Sequence, residues 1–257
     1  MSAYDTAAPN FNRHRALPDG AAETIRATIL ASIDVSARPL LLDLGAGAGR
    51  IGWPFVAAGD DYVGVDRSLG MLRAFTRRTE NNGRALPLVQ ADGQDLPFRD
   101  AVFDAVLLVQ IFGGLRGWRR LLAEGRRVLR PAGALVIGRS VAPADGLDAR
   151  MKRRLAALLD GIGGGAEQTN AREDVERWLN SAAQGGTRTV AASWNAERTP
   201  RGFIERHRTG SRFSALPAPV KDEALGELAA WAAATFGSLD AVFCEPHAFE
   251  LQVFKFP

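Results

Sequence analysis

The stretch Leu41–Arg50, LLDLGAGAGR, constrains this chain more than any other. An apolar run leads to an aspartate, Asp43, and then to glycines at 45, 47 and 49. A short apolar run ending in glycine reads as a buried strand, and the RIGWPFVAAG that follows reads as a helix that stops at Gly59. Glycine-rich turns between a strand and a helix usually hold a phosphate or a nucleotide, because glycine lets backbone approach a ligand closely. An acid at the mouth of such a turn therefore needs explaining.

The elements after this turn alternate. YVGVD reads as a second strand and SLGMLRAFTRRT as a helix, with Ser68 as its N-cap. LPLVQAD, FDAVLLVQ and GALVIGRS read as the third, fourth and fifth strands. Between the last two lies GWRRLLAEGRRVLRP, whose Trp118, Leu121, Leu122 and Val128 sit near helical spacing and which Pro131 stops. Strands alternating with helices imply a parallel sheet covered on both faces, with ligands beyond the carboxyl ends of the strands. The second half reads differently. LDARMKRRLAALLDGIGGG is a basic helix running into a glycine connector, and AREDVERWLNSAAQGG a helix with a glycine stop. TRTVAASWN is a sixth strand. PRGFIERHRTGSRF and PAPVKDEALGELAAWAAATFG are helical, and AFELQVFKF alternates like a half-exposed strand.

Composition narrows the partners. The 257 residues are 46% hydrophobic and 24% charged, with a net charge of only +3. The positive charge is almost all arginine, the lysines being Lys152, Lys221 and Lys255. The single cysteine, Cys244, excludes a disulfide framework and a multi-cysteine metal site, and no metal is expected. The N-terminus lacks a signal-peptide core and no apolar run reaches the roughly 20 residues of a membrane span, so the expectation is a soluble, cytoplasmic protein.

Two ligand types compete for the glycine turn. GAGRIG, Gly47 to Gly52, satisfies the G-x-G-x-x-G dinucleotide pattern. In a dinucleotide site, however, Asp43 would set negative charge near a pyrophosphate. S-adenosylmethionine has no phosphate and carries an ammonium and a sulfonium, so a carboxylate at the end of the first strand suits it better. Asp66 ends the second strand about 20 residues beyond the glycines, where an acid can accept both ribose hydroxyls of either ligand. Asp92 follows the third strand, where its carboxylate can accept from an adenine amino group, and Gly93 leaves backbone room for the ring.

LLDLGAGAGR, YVGVDRSLGML, ADGQDLPF, FDAVLLVQ and RRVLRPAGALVIG occur in that order over roughly Arg13 to Ser140, and with them the chain resembles the class I S-adenosylmethionine-dependent methyltransferases. More narrowly it resembles the small-molecule group typified by ubiquinone and menaquinone biosynthesis enzymes. The resemblance implies a Rossmann-like, doubly wound, three-layer α/β/α fold. Its seven-stranded sheet has an antiparallel last strand, for which AFELQVFKF is suited, with TRTVAASWN its neighbour. It implies a single domain over 1–257, with a core of about 35–145, 170–196 and 247–257 and a helical cover of about 1–25, 145–165 and 200–237. Carried over by position, Asp43, Gly45, Ala46 and Gly47 line the methionine side of the cofactor and Asp66 holds the ribose. Arg67 and Met71 lie beside the adenosine, Asp92 and Gly93 at the adenine, Gln110 near the methionine, and Arg13 also falls to the cofactor. Gly49 and Gly52 serve helix–strand packing, and Asp95 and Asp104 turns or caps.

Methyl transfer is an in-line displacement that needs a base only where the acceptor must lose a proton. Many relatives carry histidines after the fourth strand; QIFGGLRGW has none. His14, His207, His247 and Tyr4 remain, with His207 nearest the proposed cover, and no catalytic base is assigned. Phe11, Phe112, Phe203 and His207 are the candidates for contact with the acceptor. The expected reaction is methylation of O, N or C of a small molecule, without nucleic acid or membrane as partner. A tRNA or rRNA methyltransferase, drawing on Arg119, Arg120, Arg126, Arg127 and Arg130, is the alternative enzyme, and a non-catalytic S-adenosylmethionine-binding protein the other.

Overall fold

All four residues of strand β1, Leu41–Leu44, are buried, as a central parallel strand covered on both faces requires. The computed structural model describes residues 16–34, 38–78, 86–112, 117–161, 171–208 and 216–256. Phe11, Arg13, His14, Tyr4 and Phe213 lie outside the described residues. β1 is flanked in parallel by β2 (Tyr62–Asp66) and β4 (Phe103–Val109). The full order is β3-β2-β1-β4-β5-β7-β6, with β3 at Leu88–Gln90, β5 at Leu129–Val141, β6 at Gln184–Arg198 and β7 at Phe243–Lys255. β7 runs antiparallel to both β5 and β6. The chain winds outward from β1 in one direction and then from β4 in the other, so the switch point lies between the ends of β1 and β4.

Alternate residues of the strands feed two cores. Leu42, Leu44, Val106, Leu108, Leu135 and Ile137 face helices α4 (Trp118–Val128) and α6 (Ala171–Ala182). Leu41, Ala105, Leu107, Ala134 and Val136 face α1 (Ala21–Ser32), α2 (Gly52–Ala58) and Phe75 of α3 (Leu69–Arg77). Fully burying a side chain such as Phe55 or Phe75 stabilises by about 1.5–3 kcal/mol, so these two faces dominate the fold. A third cluster belongs to α5 (Leu147–Gly161), α7 (Pro200–Arg208) and α8 (Ala218–Phe236), which pack on one another through Met151, Leu155, Phe203 and Leu228. Among the described residues no helix is long and apolar enough to cross a membrane.

The local signals act as their chemistry demands. Ser68 caps α3, its Oγ accepting from Met71 N at 3.2 Å, and Gly59 ends α2 at φ 81°. Several boundaries move. α4 ends at Val128, ahead of Pro131, which lies inside β5; the register between β4 and β5 shifts near Phe103–Ala105 to absorb the irregular start. α6 ends at Ala182, and Gly185 and Gly186 fall inside β6, where a Cβ on Gly185 would stand 2.4 Å from Val253 O. Ala21, Ile25 and Ile29 form the buried stripe of α1, whose isoleucines pack on the sheet beside Ala191 and Leu251.

Gly49 holds φ 74°, and a Cβ there would stand 2.3 Å from the Phe75 ring. Gly49→Ala combines a left-handed backbone penalty with overpacking against α3, and should lower stability by about 2–4 kcal/mol in urea denaturation. A loss under about 0.5 kcal/mol, the range of an ordinary surface change, would show that the turn relaxes freely.

Candidate functional site

The turn after β1 curls back on itself and hydrogen-bonds within the protein. The amides of Gly45 and Ala46 donate to Val65 O at 2.8 and 3.0 Å, and that of Gly49 to Ala46 O at 3.1 Å. Gly47 N donates to Asp66 Oδ2 at 2.9 Å. Gly45 and Gly47 take φ 84° and 55°, a region that side chains rarely adopt. A Cβ on Gly45 would also reach Ile111 Cδ1 at 2.9 Å, so the turn lies against the segment leaving β4. Four amides that a dinucleotide's pyrophosphate would need are thus directed inward, one of them to a carboxylate.

Asp66 closes β2, and its other oxygen, Oδ1, accepts from Ser68 N at 2.8 Å. One carboxylate therefore ties the β1–α2 turn to the start of α3. Asp43 lies deeper, only 2% exposed, beneath the turn. Its Oδ2 accepts from Tyr62 Oη at 2.7 Å. Burial raises the Asp43 carboxyl to about 7; the Tyr62 hydroxyl opposes the rise and the negative charge of Asp66 adds to it. Tyr62 is itself held between Phe55 and Phe75, at ring separations of 6.0 and 6.2 Å. A Cβ on Gly52 would stand 2.1 Å from Tyr62 Oη, so that glycine makes room for the hydroxyl. Sequence reading missed Tyr62, although a tyrosine opening a buried strand beside an acid is a signal, since its hydroxyl must find a partner.

Gln110 stands just past β4, at the switch point, with φ 54°. Its Oε1 accepts from Arg50 Nη2 of the turn, and its Nε2 donates to Ser140 Oγ of β5 at 2.6 Å. Arg50 and Ser140, which sequence reading also passed over, thus complete a polar chain across the strand ends.

The other candidates divide. Arg67 is exposed beside Asp66, and its carbonyl accepts from Gln90 Nε2. Ala46 is buried in the turn. Met71, 3% exposed, packs on Ala48 and Ala74 and braces the turn against α3. Asp92 is exposed, its Oδ1 accepting from Gln94 N at 2.9 Å. A Cβ on Gly93 would stand 2.7 Å from Leu121 Cδ1, so its missing side chain makes room for α4. Phe112, 4% exposed, packs in the core with Trp118 and Leu121. Phe203 is buried inside the cover, and the His207 ring stacks on it at 3.8 Å. His207 Nδ1 lies 3.0 Å from Phe203 O, and burial lowers its pKa to about 4. Asp104 is structural, accepting from Leu40 N and pairing with Arg130.

The raised Asp43 carboxyl has a consequence for stability. The folded protein holds this proton more tightly than the unfolded chain, whose carboxyl titrates near ~3.9. Its contribution is therefore whole below about pH 4 and is lost as pH rises through about 7. Asp43→Asn should gain stability relative to the unsubstituted protein across that window and hold a constant difference above it. Urea denaturation at several pH values checks this, and a pH-independent difference would show that Asp43 is ionised throughout.

A family described as a methyltransferase domain matches residues 42–137, which run from β1 into β5. The chain is 36% identical over 138 residues to the demethylmenaquinone methyltransferase of Paenarthrobacter aurescens, covering 52% of each chain. It is 43% identical over 100 residues to that of Clavibacter sepedonicus, covering 38% of this chain and 39% of the relative. The aligned part spans little more than half the length of the first of these relatives. Among solved structures, the YcgJ protein of Bacillus subtilis superposes with a TM-score of 0.59 at 20% identity, covering 91% of this chain and 98% of its own. The [4+2]-cyclase SpnF does so with a TM-score of 0.59 at 18% identity, covering 100% and 97%. That neighbour is named for a cyclisation, so the shared fold alone does not specify the chemistry. Residues 42–137 match the methyltransferase-domain family, in a chain that shares the fold of these solved structures and resembles in sequence the demethylmenaquinone methyltransferases.

Proposed function

We propose that this protein transfers a methyl group from S-adenosylmethionine to an oxygen, nitrogen or carbon of a small-molecule acceptor. The observation that carries the reading is the pair of carboxylates around the turn. Asp43 and Asp66 bracket a glycine loop whose amides at 45, 46, 47 and 49 already donate within the protein. This arrangement suits a cationic, phosphate-free ligand and opposes a pyrophosphate. When bound, the cofactor supplies an electrophilic methyl group on a sulfonium. Asp43, beneath Gly45 and Gly47, attracts its ammonium through the turn, and Asp66 accepts from the ribose hydroxyls. Arg67 and Asp92 lie on the adenosine side, and Gln110, fixed between Arg50 and Ser140, lies on the methionine side. Arg13 and Phe11 complete the reading from the N-terminal segment.

The names of the demethylmenaquinone relatives support a ring-bearing acceptor of the menaquinone type within the small-molecule class. The arginines of α4 and of the start of β5 support a small molecule over RNA. Arg127 is engaged by Glu124, Asp100 and the carbonyls of Leu96 and Phe98, while Arg130 pairs with Asp104 and Arg119 lies over Trp118. We read the sheet and its flanking helices as the transferase core and α5, α7 and α8 as the cover that shapes the acceptor pocket. A cytoplasmic location fits this reading.

Isothermal calorimetry with S-adenosylmethionine and S-adenosylhomocysteine tests the cofactor assignment. Asp66→Ala should weaken both by about 10- to 150-fold, the loss of a charge-assisted bond worth ~1.5–3 kcal/mol. Asp66→Asn, which keeps one acceptor for Gly47 N, should fall between. Unchanged affinity in a folded Asp66→Ala protein, or preferential binding of NADH, would overturn the assignment.

A further inference from the structure

A second polar cluster lies at the same end of the sheet, and nothing in the cofactor site uses it. His247 of β7 is 6% exposed, and among the described residues its Nε2 has no hydrogen-bond partner. Glu245, on the same strand, turns Oε1 to Leu147 N at 2.6 Å, at the start of α5. Its Oε2 is also buried and without a partner among the described residues, 4.0 Å from His247 Nε2. Trp194 of β6 pairs with His247 across the ladder, and their rings lie 6.2 Å apart. Two buried polar atoms left facing each other beyond bonding distance are costly unless a third group joins them. A hydroxyl set between them can donate its one proton to Nε2 when the ring carries its own proton on Nδ1, and Glu245 Oε2 then stands beside the imidazolium that results.

The location matches the chemistry. β7 runs antiparallel, so its first residues lie beside the carboxyl end of β5: Ala248 pairs with Val141 and Phe249 with Ser140. Ser140 is the residue that holds Gln110. The polar chain Arg50–Gln110–Ser140 therefore leads from the glycine turn to the strand that precedes His247. Paired positions on neighbouring strands share a face, and residues two apart on one strand do as well, so Ser140, Phe249, His247 and Trp194 share a face.

We propose that His247 and Glu245 form the acceptor's hydroxyl subsite, with His247 Nε2 as the general base and Trp194 beside the acceptor ring. This rests on the methyltransferase reading above. The surrounding charges balance. Arg198 of β6 and Arg206 of α7 approach Asp148 of α5 at 3.8 and 2.5 Å, and Glu245 lies on the strand itself. Such a site takes a neutral, hydroxyl-bearing ring, a phenol or an enol, rather than an anion or a cation. Burial, and next Arg198, lower the His247 pKa, with Arg206 acting the same way and Asp148 and Glu245 opposing, so the ring is held neutral and able to accept. In the step, the acceptor's O–H bond breaks and an N–H bond forms at Nε2. The electron pair stays on the acceptor as its nucleophile, the imidazolium is stabilised by Glu245, and its proton leaves to solvent.

The experiment follows the ring nitrogens of ¹⁵N-histidine protein by NMR, with S-adenosylhomocysteine present and phenol and 1-naphthol as probes. Both probes should move the Nε2 resonance of His247 and leave that of His207, stacked on Phe203, in place. His247→Gln should keep S-adenosylhomocysteine affinity within about twofold in calorimetry. It should reduce methyl transfer to the phenolic probes about 100-fold and abolish the acidic limb of their pH profile. Glu245→Gln, which keeps the bond to Leu147 N, should lower the His247 titration further without loss of the fold. If S-adenosylhomocysteine does not bind, the methyltransferase reading falls and His247 as base falls with it. If it binds while the probes leave His247 unmoved, or His247→Gln retains full transfer, the hydroxyl subsite alone is wrong.

Discussion

One carboxylate holds the ligand-binding end of this protein together. Asp66 accepts from the turn after β1 and from the first residues before α3, so two loops that would otherwise move separately share one anchor. The bond fixes Gly47 in a left-handed conformation and brings it down over the end of β2. Everything near the switch point is built on that placement. The turn lies against Ile111, Phe75 fills the space that Gly49 leaves, and Tyr62 rises into the space left by Gly52. A larger residue at any of these glycines would push the turn away from the carboxylate that holds it.

The same arrangement sets the electrostatics. A buried acid below the turn and a half-buried acid beside it create a negative field where helix starts usually offer a positive one. With the amides turned inward, little remains to attract an anion. The Tyr62 hydroxyl limits the cost of ionising Asp43 without neutralising it, which leaves that group poised to respond to a cation. This charge pattern depends on β1, β2 and their loops, apart from the separate packing of α5, α7 and α8.

Much of this was legible in the sequence, and the reasons are local. The β1 turn, the Ser68 cap, the Gly59 stop and the half-buried alternation of β7 all arise from residues whose conformational or hydrogen-bonding needs have few solutions. The strand order was legible only through the resemblance, because nothing in AFELQVFKF says that it inserts between β5 and β6. Other features lay beyond local rules. Pro131 stands three residues beyond the end of α4 and inside the irregular start of β5, which periodicity does not show. α4 packs onto Gly93 and Phe112, a contact that depends on a helix placed by the whole sheet. Tyr62, Arg50 and Ser140 reach partners 19, 60 and 30 residues away, which periodicity cannot reveal. The His247–Glu245 pair lies in a strand that extends well beyond its alternating part.

The place of β7 between β5 and β6 has a consequence for how the molecule is made. β6 has no ladder with any strand that precedes it; its partner throughout is β7, with Gln184 against Lys255 and Arg198 against Phe243. During synthesis β1 to β5 can zip together as each emerges, through neighbours already present. β6, once made, must wait as an unpaired edge while more than 40 residues, helices α7 and α8 among them, follow it, and it joins the sheet only when β7 slots into the gap. The nascent protein thus passes through a stage in which the half carrying the glycine turn is assembled and an open strand is exposed beside it. That interval is when the chain is most open to pairing with a copy of itself, and the slot that β7 fills is where such an exchange would occur.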